Sequence, residues 1–168
     1  MATDVLLQSR ASKPPAITAI MVVRIALPYL LAAYIVYILL WYLPYKFASE
    51  SYLFQVIEDW AGFDWVEPYF RYFTGGVEAL ACLLLVIPGL QVAGAAVAAA
   101  TMGGAIFLHV FTPLGIDPYN DGGTLFKEAC TNFVFAMAIL MLRRHEILPL
   151  LRGFVTDPRF LRIIWGGR

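Results

Sequence analysis

Read for polar and apolar positions, the chain breaks into four long apolar runs joined by short polar ones. They extend from about Ile17 to Leu43, Tyr72 to Ile87, Val92 to Phe111 and Leu125 to Leu142. About 20 helical residues cross the hydrocarbon core of a bilayer, so each run is predicted to be a membrane-spanning helix. The second is short, and the aromatic stretch PYFRYF before it is expected to carry it to the interface. PGLQ (Pro88 to Gln91) reads as a tight turn that makes the second and third spans an antiparallel hairpin. The segment SYLFQVIEDW has amphipathic spacing, with Tyr52, Leu53, Val56, Ile57 and Trp60 on one side. It is predicted to be a short helix lying in the interface. The loop from Thr112 to Gly123 is rich in the turn formers Gly, Pro, Asp and Asn. The predicted fold is all-α: an integral membrane four-helix bundle with a short interfacial helix in its first outer loop. Residues 1–16 form an N-terminal tail, 17–142 the four-helix domain and 143–168 a basic amphipathic tail.

Composition agrees with the pattern. Of 168 residues, 61% are hydrophobic and 14% charged, more apolar surface than one soluble core hides. The zero formal net charge argues against a nucleic-acid partner. The partner it calls for is the lipid bilayer. The first sixteen residues are polar and contain proline, so no cleavable signal peptide is expected.

Charge orients the bundle. The N-terminal tail carries Arg10 and Lys13, and Arg143, Arg144, Arg152, Arg159, Arg162 and Arg168 follow the fourth span. The first long loop carries Glu50, Glu58, Asp59, Asp64 and Glu67, and no Lys or Arg lies between Ala48 and Phe70. The positive-inside tendency then puts both termini in the cytoplasm and both larger loops outside. DPRFLRIIWGGR alternates arginines with apolar residues. It is expected to anchor on the anionic leaflet rather than to dock a partner.

Ionisable groups inside a membrane are costly and suggest a functional site. His109 lies near the outer end of the third span. Glu78 lies roughly 9–12 Å into the second at 1.5 Å per residue. Glu128 and Asn132 occupy the first turns of the fourth span, Lys127 its mouth, and Lys46 the end of the first. Arg24, at the cytoplasmic end of the first span, can snorkel to phosphates. Thr124, Glu128, Thr131 and Asn132 share one helix face, and Glu78 shares another with Thr74 and Cys82. His109 shares its face with Ala98, Thr101, Met102 and Ala105. Ala95, Ala99 and Gly103 at four-residue steps allow close packing. They predict that the third span is the central helix, with His109 facing protein.

Each group has two readings. His109 either bonds to a loop carbonyl as a helix-end group or rims a pocket with Glu78. Glu78 needs a cation, a donor or a proton, which favours a site. Glu128 also suits the N-terminal end of a helix dipole. Cys82 and Cys130 read as small buried hydrophobes at unmatched depths, not a disulfide. His145 lies at the opposite face from His109, against bis-His haem ligation. There are no cysteine pairs for thiol oxidation, no Glu in the first span as in small multidrug antiporters, and no metal-ligand spacing.

In order along the chain, these features resemble the DoxX-like superfamily of small four-span membrane proteins from about Ile17 to Leu142. The likeness rests on Arg24, on WYLPYKF (Trp41 to Phe47) and on GGVEALACLLLVIPG (Gly75 to Gly89). MGGAIFLHVF and LFKEACTNF complete it. The resemblance implies a bacterial or archaeal plasma (inner) membrane. Its best-known relatives are a membrane subunit of a thiosulfate:quinone oxidoreductase and partners of thiol-stress or methylamine-oxidising systems. By the same resemblance Glu78 and His109 line a cavity open to the outer leaflet.

The leading expectation is a membrane component of an oxidoreductase system. It would bind a quinone or similar lipophilic carrier through Glu78, His109, Glu128, Asn132, Lys46 and Lys127, with the catalytic residues unassigned. His109 would donate to a quinone carbonyl, Glu78 or Glu128 would carry protons, and Lys46 and Lys127 would attract an anionic substrate. No intrinsic cofactor is signalled, so electrons would pass to a membrane or extracytoplasmic partner protein or to the substrate, in a homo- or hetero-oligomer. The alternative is a non-catalytic partner subunit or assembly factor that docks through its acidic aromatic outer loop. A weaker third is a small-solute or proton carrier.

Overall fold

The computed structural model describes residues 15–147. The tail at 1–14 and most of the basic amphipathic tail, including Arg10, Lys13 and the arginines from Arg152 onward, lie outside them. Helix α1 spans Pro15–Lys46, α2 Tyr52–Ala61, α3 Arg71–Val86, α4 Gln91–Phe111 and α5 Thr124–Leu142. A single π-helical turn, Val66–Phe70, leads into α3. The predicted all-α class holds, with no strand among the described residues. Among the described residues, four helices are long and apolar enough to cross a membrane: Val22–Lys46, Val66–Val86, Gln91–Phe111 and Thr124–Leu142. The chain is a multi-pass membrane protein.

Burial explains the arrangement. Ile35, Ala81, Ala95, Ala98, Ala136 and Ile139 are fully buried where the four helices meet. Large apolar side chains such as Leu30, Trp41, Leu83, Phe111 and Val134 point outward, as they do when lipid is the solvent. In lipid, helices associate through close contact rather than hydrophobic exclusion, so small residues set the interfaces. The helices form a square in which α1 and α4 each pack on α3 and α5 and scarcely touch each other. No helix is central, which corrects the expectation for the third span. Its small residues serve two neighbours. Gly103 faces Phe133 of α5, and Gly94 lies against α3, where a Cβ would sit 2.6 Å from the Leu85 backbone nitrogen.

The turn Ile87–Leu90 closes α3 and α4 into the predicted hairpin, with Leu90 N–H donating to Ile87 O at 3.1 Å. The other end of the bundle carries the loops 47–70 and 112–123, and Arg71 assembles it. Arg71 is fully buried. Its Nη1 donates to Lys46 O and Ala48 O, both at 2.6 Å, and its Nε donates to the Glu67 carboxylate. The last carbonyls of a helix lack partners within it, so one guanidinium caps α1 while holding it to the start of α3. Glu58 accepts the Glu67 N–H at 2.8 Å, which ties α2 to the turn before α3.

Helix α2 does more than lie in an interface. Phe54 and Ile57 are buried and cluster with Val66 and Leu114, while Leu53, Val56, Phe70 and Leu108 pack around them. The helix roofs the loop end of the bundle. Tyr52 and Trp60, read on the same side as Leu53, Val56 and Ile57, are more than half exposed, and Phe54 joins the packed side.

Candidate functional site

Beneath this roof lies a chamber of about 100 Å³ between α1, α3, α4 and α5. Leu53, Phe54 and Ile57 of α2 cover it. Five of the six residues singled out in the sequence line it: Lys46, Glu78, His109, Glu128 and Asn132. Lys127 does not. One position along α5 from Glu128, it is turned about 100° away, exposed, with its Nζ towards Gly122. Thr124 and Thr131 leave the polar face of α5 too. Thr131 Oγ1 donates to Lys127 O at 2.8 Å, and Thr124 bonds with Asp121.

Among the described residues, the chamber's one ion pair crosses from α1 to α3. Lys46 Nζ lies 3.3 Å from Glu78 Oε1, meeting the need for a cation that the depth of Glu78 imposes. The same ammonium stands 4.9 Å from the centre of the Phe54 ring, which brings the roof into electrostatic contact with the pair. Lys46 is reached because α1 runs one turn further than the apolar run suggested, through Pro44.

His109 combines its two readings. It is buried, lines the chamber and bonds through Nδ1 to Gly115 O at 2.6 Å. A carbonyl only accepts, so the proton belongs to Nδ1 and the neutral ring has an acceptor at Nε2. Gly115 turns back toward the helix end with φ +70°, a conformation that suits glycine. Thr112 supports the turn, donating from Oγ1 to Leu108 O and accepting Leu114 N–H. Phe126 meets the imidazole edge to face at 5.7 Å.

The remaining polar atoms share one deficiency. Glu78 Oε2, Glu128 Oε2 and Asn132 Oδ1 are buried without a hydrogen-bond partner, and all three belong to chamber residues. A buried acceptor left unpaired costs on the order of 1–3 kcal/mol. Three in one cavity give it a strong demand for donors. Tyr42, which faces Glu128, completes the polar lining. It precedes Lys46 by one helical turn, and that spacing was the signal that could have found it. The roof residues and Arg71 had no such signal, because their roles depend on how the first loop folds back.

A second space of about 310 Å³ adjoins the chamber through Tyr42, Lys46, Leu53, Phe54 and Leu125, with Tyr45, Ser51 and Tyr119 at its outer side. It forms a vestibule between α1, α2 and α5. Tyr45 and Tyr119 are both more than half exposed. No group of three or more His, Cys, Asp or Glu with metal-binding geometry occurs among the described residues, and Cys82 and Cys130 are free thiols. Comparison of the chain with protein-family models, curated proteins and solved structures finds no match.

Proposed function

We propose that the chain is a membrane component of an oxidoreductase system and that its chamber binds a quinone-type carrier in the reduced, quinol form. The three unpartnered acceptors carry this reading. A quinol offers two hydroxyl donors to Glu78, Glu128 or Asn132 and to His109 Nε2, where a quinone offers only acceptors. This reverses the role first expected of His109, which receives rather than donates a hydrogen bond. Bound in the chamber, a quinol supplies two-electron, two-proton chemistry. His109 Nε2 and a carboxylate oxygen of Glu78 or Glu128 receive the two protons, Lys46 holds the Glu78 carboxylate in place, and the roof limits water. The electrons leave to a redox partner protein or an oxidised substrate. The vestibule beside exposed Tyr45 is the route for a lipophilic molecule.

The same proposal places the chain among DoxX-like proteins of a bacterial or archaeal plasma membrane, with both termini cytoplasmic and the chamber in the outer half. The four-span bundle and the basic residues beyond α5 support it.

Lipid extraction of the protein purified in mild detergent tests the reading. A quinone or quinol should be recovered with the wild type and fall severalfold in His109→Ala and Glu78→Gln. A short-chain quinol should bind more tightly than its quinone. Equal recovery from all three proteins refutes it, and a stoichiometric partner protein unaffected by those substitutions points to a docking subunit instead.

A further inference from the structure

The opposite end of the bundle carries a groove unlike the chamber. It runs between α1 and α5, beside Arg24, Tyr29, Met141, Arg143, Arg144 and His145, and holds about 630 Å³ of open space. Its rim is cationic, with Arg24 on α1 and Arg143 and Arg144 at the end of α5. Glu146, the acid in the lining, lies 3.2 Å from Arg143, which among the described residues leaves the charge of Arg24 and Arg144 in excess. The Arg143 guanidinium stands 4.9 Å from the centre of the Tyr29 ring, bridging the two helices. Below the rim the wall is apolar and open: Ile25 is 62% and Met141 68% exposed. In a chain that crosses a bilayer, such positions face acyl chains, and the arginines stand where hydrocarbon gives way to headgroups.

Cations above an apolar wall match an amphiphile with an anionic head and a hydrocarbon tail. We propose that this groove binds one anionic phospholipid, its phosphate between Arg24 and Arg144 and an acyl chain along Ile25, Tyr29 and Met141. Basic pockets between spanning helices recognise lipid headgroups by this combination. A zwitterionic lipid offers the same tail but brings its own cation to an arginine-lined rim, so it gains less. The groove lies at the other end of the bundle from the chamber, and the proposal is independent of any redox role.

Native mass spectrometry of the full chain in neutral detergent, titrated with phosphatidylglycerol or phosphatidylcholine, tests it. The wild type should retain one phosphatidylglycerol in preference to phosphatidylcholine. At roughly fivefold per surface charge, Arg24→Gln with Arg144→Gln should weaken that retention about twenty-five-fold. Arg24→Lys with Arg144→Lys should restore most of it, which separates lost charge from misfolding. Equal retention of the two lipids refutes the proposal, as does undiminished phosphatidylglycerol binding by the glutamine pair. Full displacement of the lipid by millimolar inorganic phosphate also refutes it, since the site would then recognise a free anion.

Discussion

Lys46→Met removes the cation beside Glu78 while keeping an unbranched stem against Phe54. Unit charges 3.3 Å apart attract by ~5 kcal/mol at the effective dielectric of about 20 that suits partly solvated sites. Much of this is offset by the desolvation of Glu78, which is 5% exposed against 22% for Lys46. The net coupling expected is therefore about 1–3 kcal/mol, within the range of contacting groups. A double-mutant cycle with Glu78→Gln, read by unfolding in mixed micelles of increasing denaturing detergent, measures it. Lys46→Met alone strands a buried carboxylate and should cost about 3 kcal/mol, the scale of breaking a buried pair from one side. The double substitution leaves two neutral groups and should recover at least ~1 kcal/mol of that loss. If the single effects add within about 0.5 kcal/mol, the pair is not coupled and Lys46 does not answer the charge of Glu78.

Two further outcomes follow from the packing and from the second loop. Gly94→Ala should destabilise by about 1–3 kcal/mol, since its Cβ meets α3 backbone that cannot yield, whereas Gly104→Ala, with nothing within 4 Å, should be neutral or gain about 0.5–1 kcal/mol; thermal unfolding in detergent compares them, and equal effects refute the close approach. Partial desolvation works to raise the Asp117 carboxyl, but the backbone N–H groups of Gly123, Asp121 and Gly122 outweigh it and hold the group below the usual aspartate range. A depressed folded pKa adds stability that is present above the unfolded value and lost as pH falls through the folded one. The Asp121 and Gly122 amides should therefore stay protected from hydrogen exchange below the ordinary aspartate pKa and lose protection only in stronger acid. Asp117→Asn should remove that pH dependence.

Much of the chamber was legible because helical spacing is local. Glu128 and Asn132 are four apart on one helix, and His109 lies on the face of Met102 and Ala105, so one turn of geometry groups them before any tertiary contact. Lys127 stands apart from the chamber because nearness in sequence at the mouth of a helix says nothing about direction around it. Gly94 was overlooked in favour of Ala95, Ala99 and Gly103 because every small residue looks alike until a neighbour's backbone picks one. Arg71 was overlooked because it sits next to a span like any flanking cation, and only the folded loop surrounds it with Lys46 O, Ala48 O and Glu67.

The sequence by itself determined that the chain crosses a membrane four times, where the spans lie and which polar groups lie within them. Those properties follow from the length of apolar runs and the cost of burying charge in hydrocarbon. Tertiary structure alone decided that α2 roofs a chamber, that Lys46 rather than Lys127 answers Glu78, and that Gly115 O accepts the hydrogen bond from His109 Nδ1. Those are relations between residues on different segments, set by how the helices pack and the loops return.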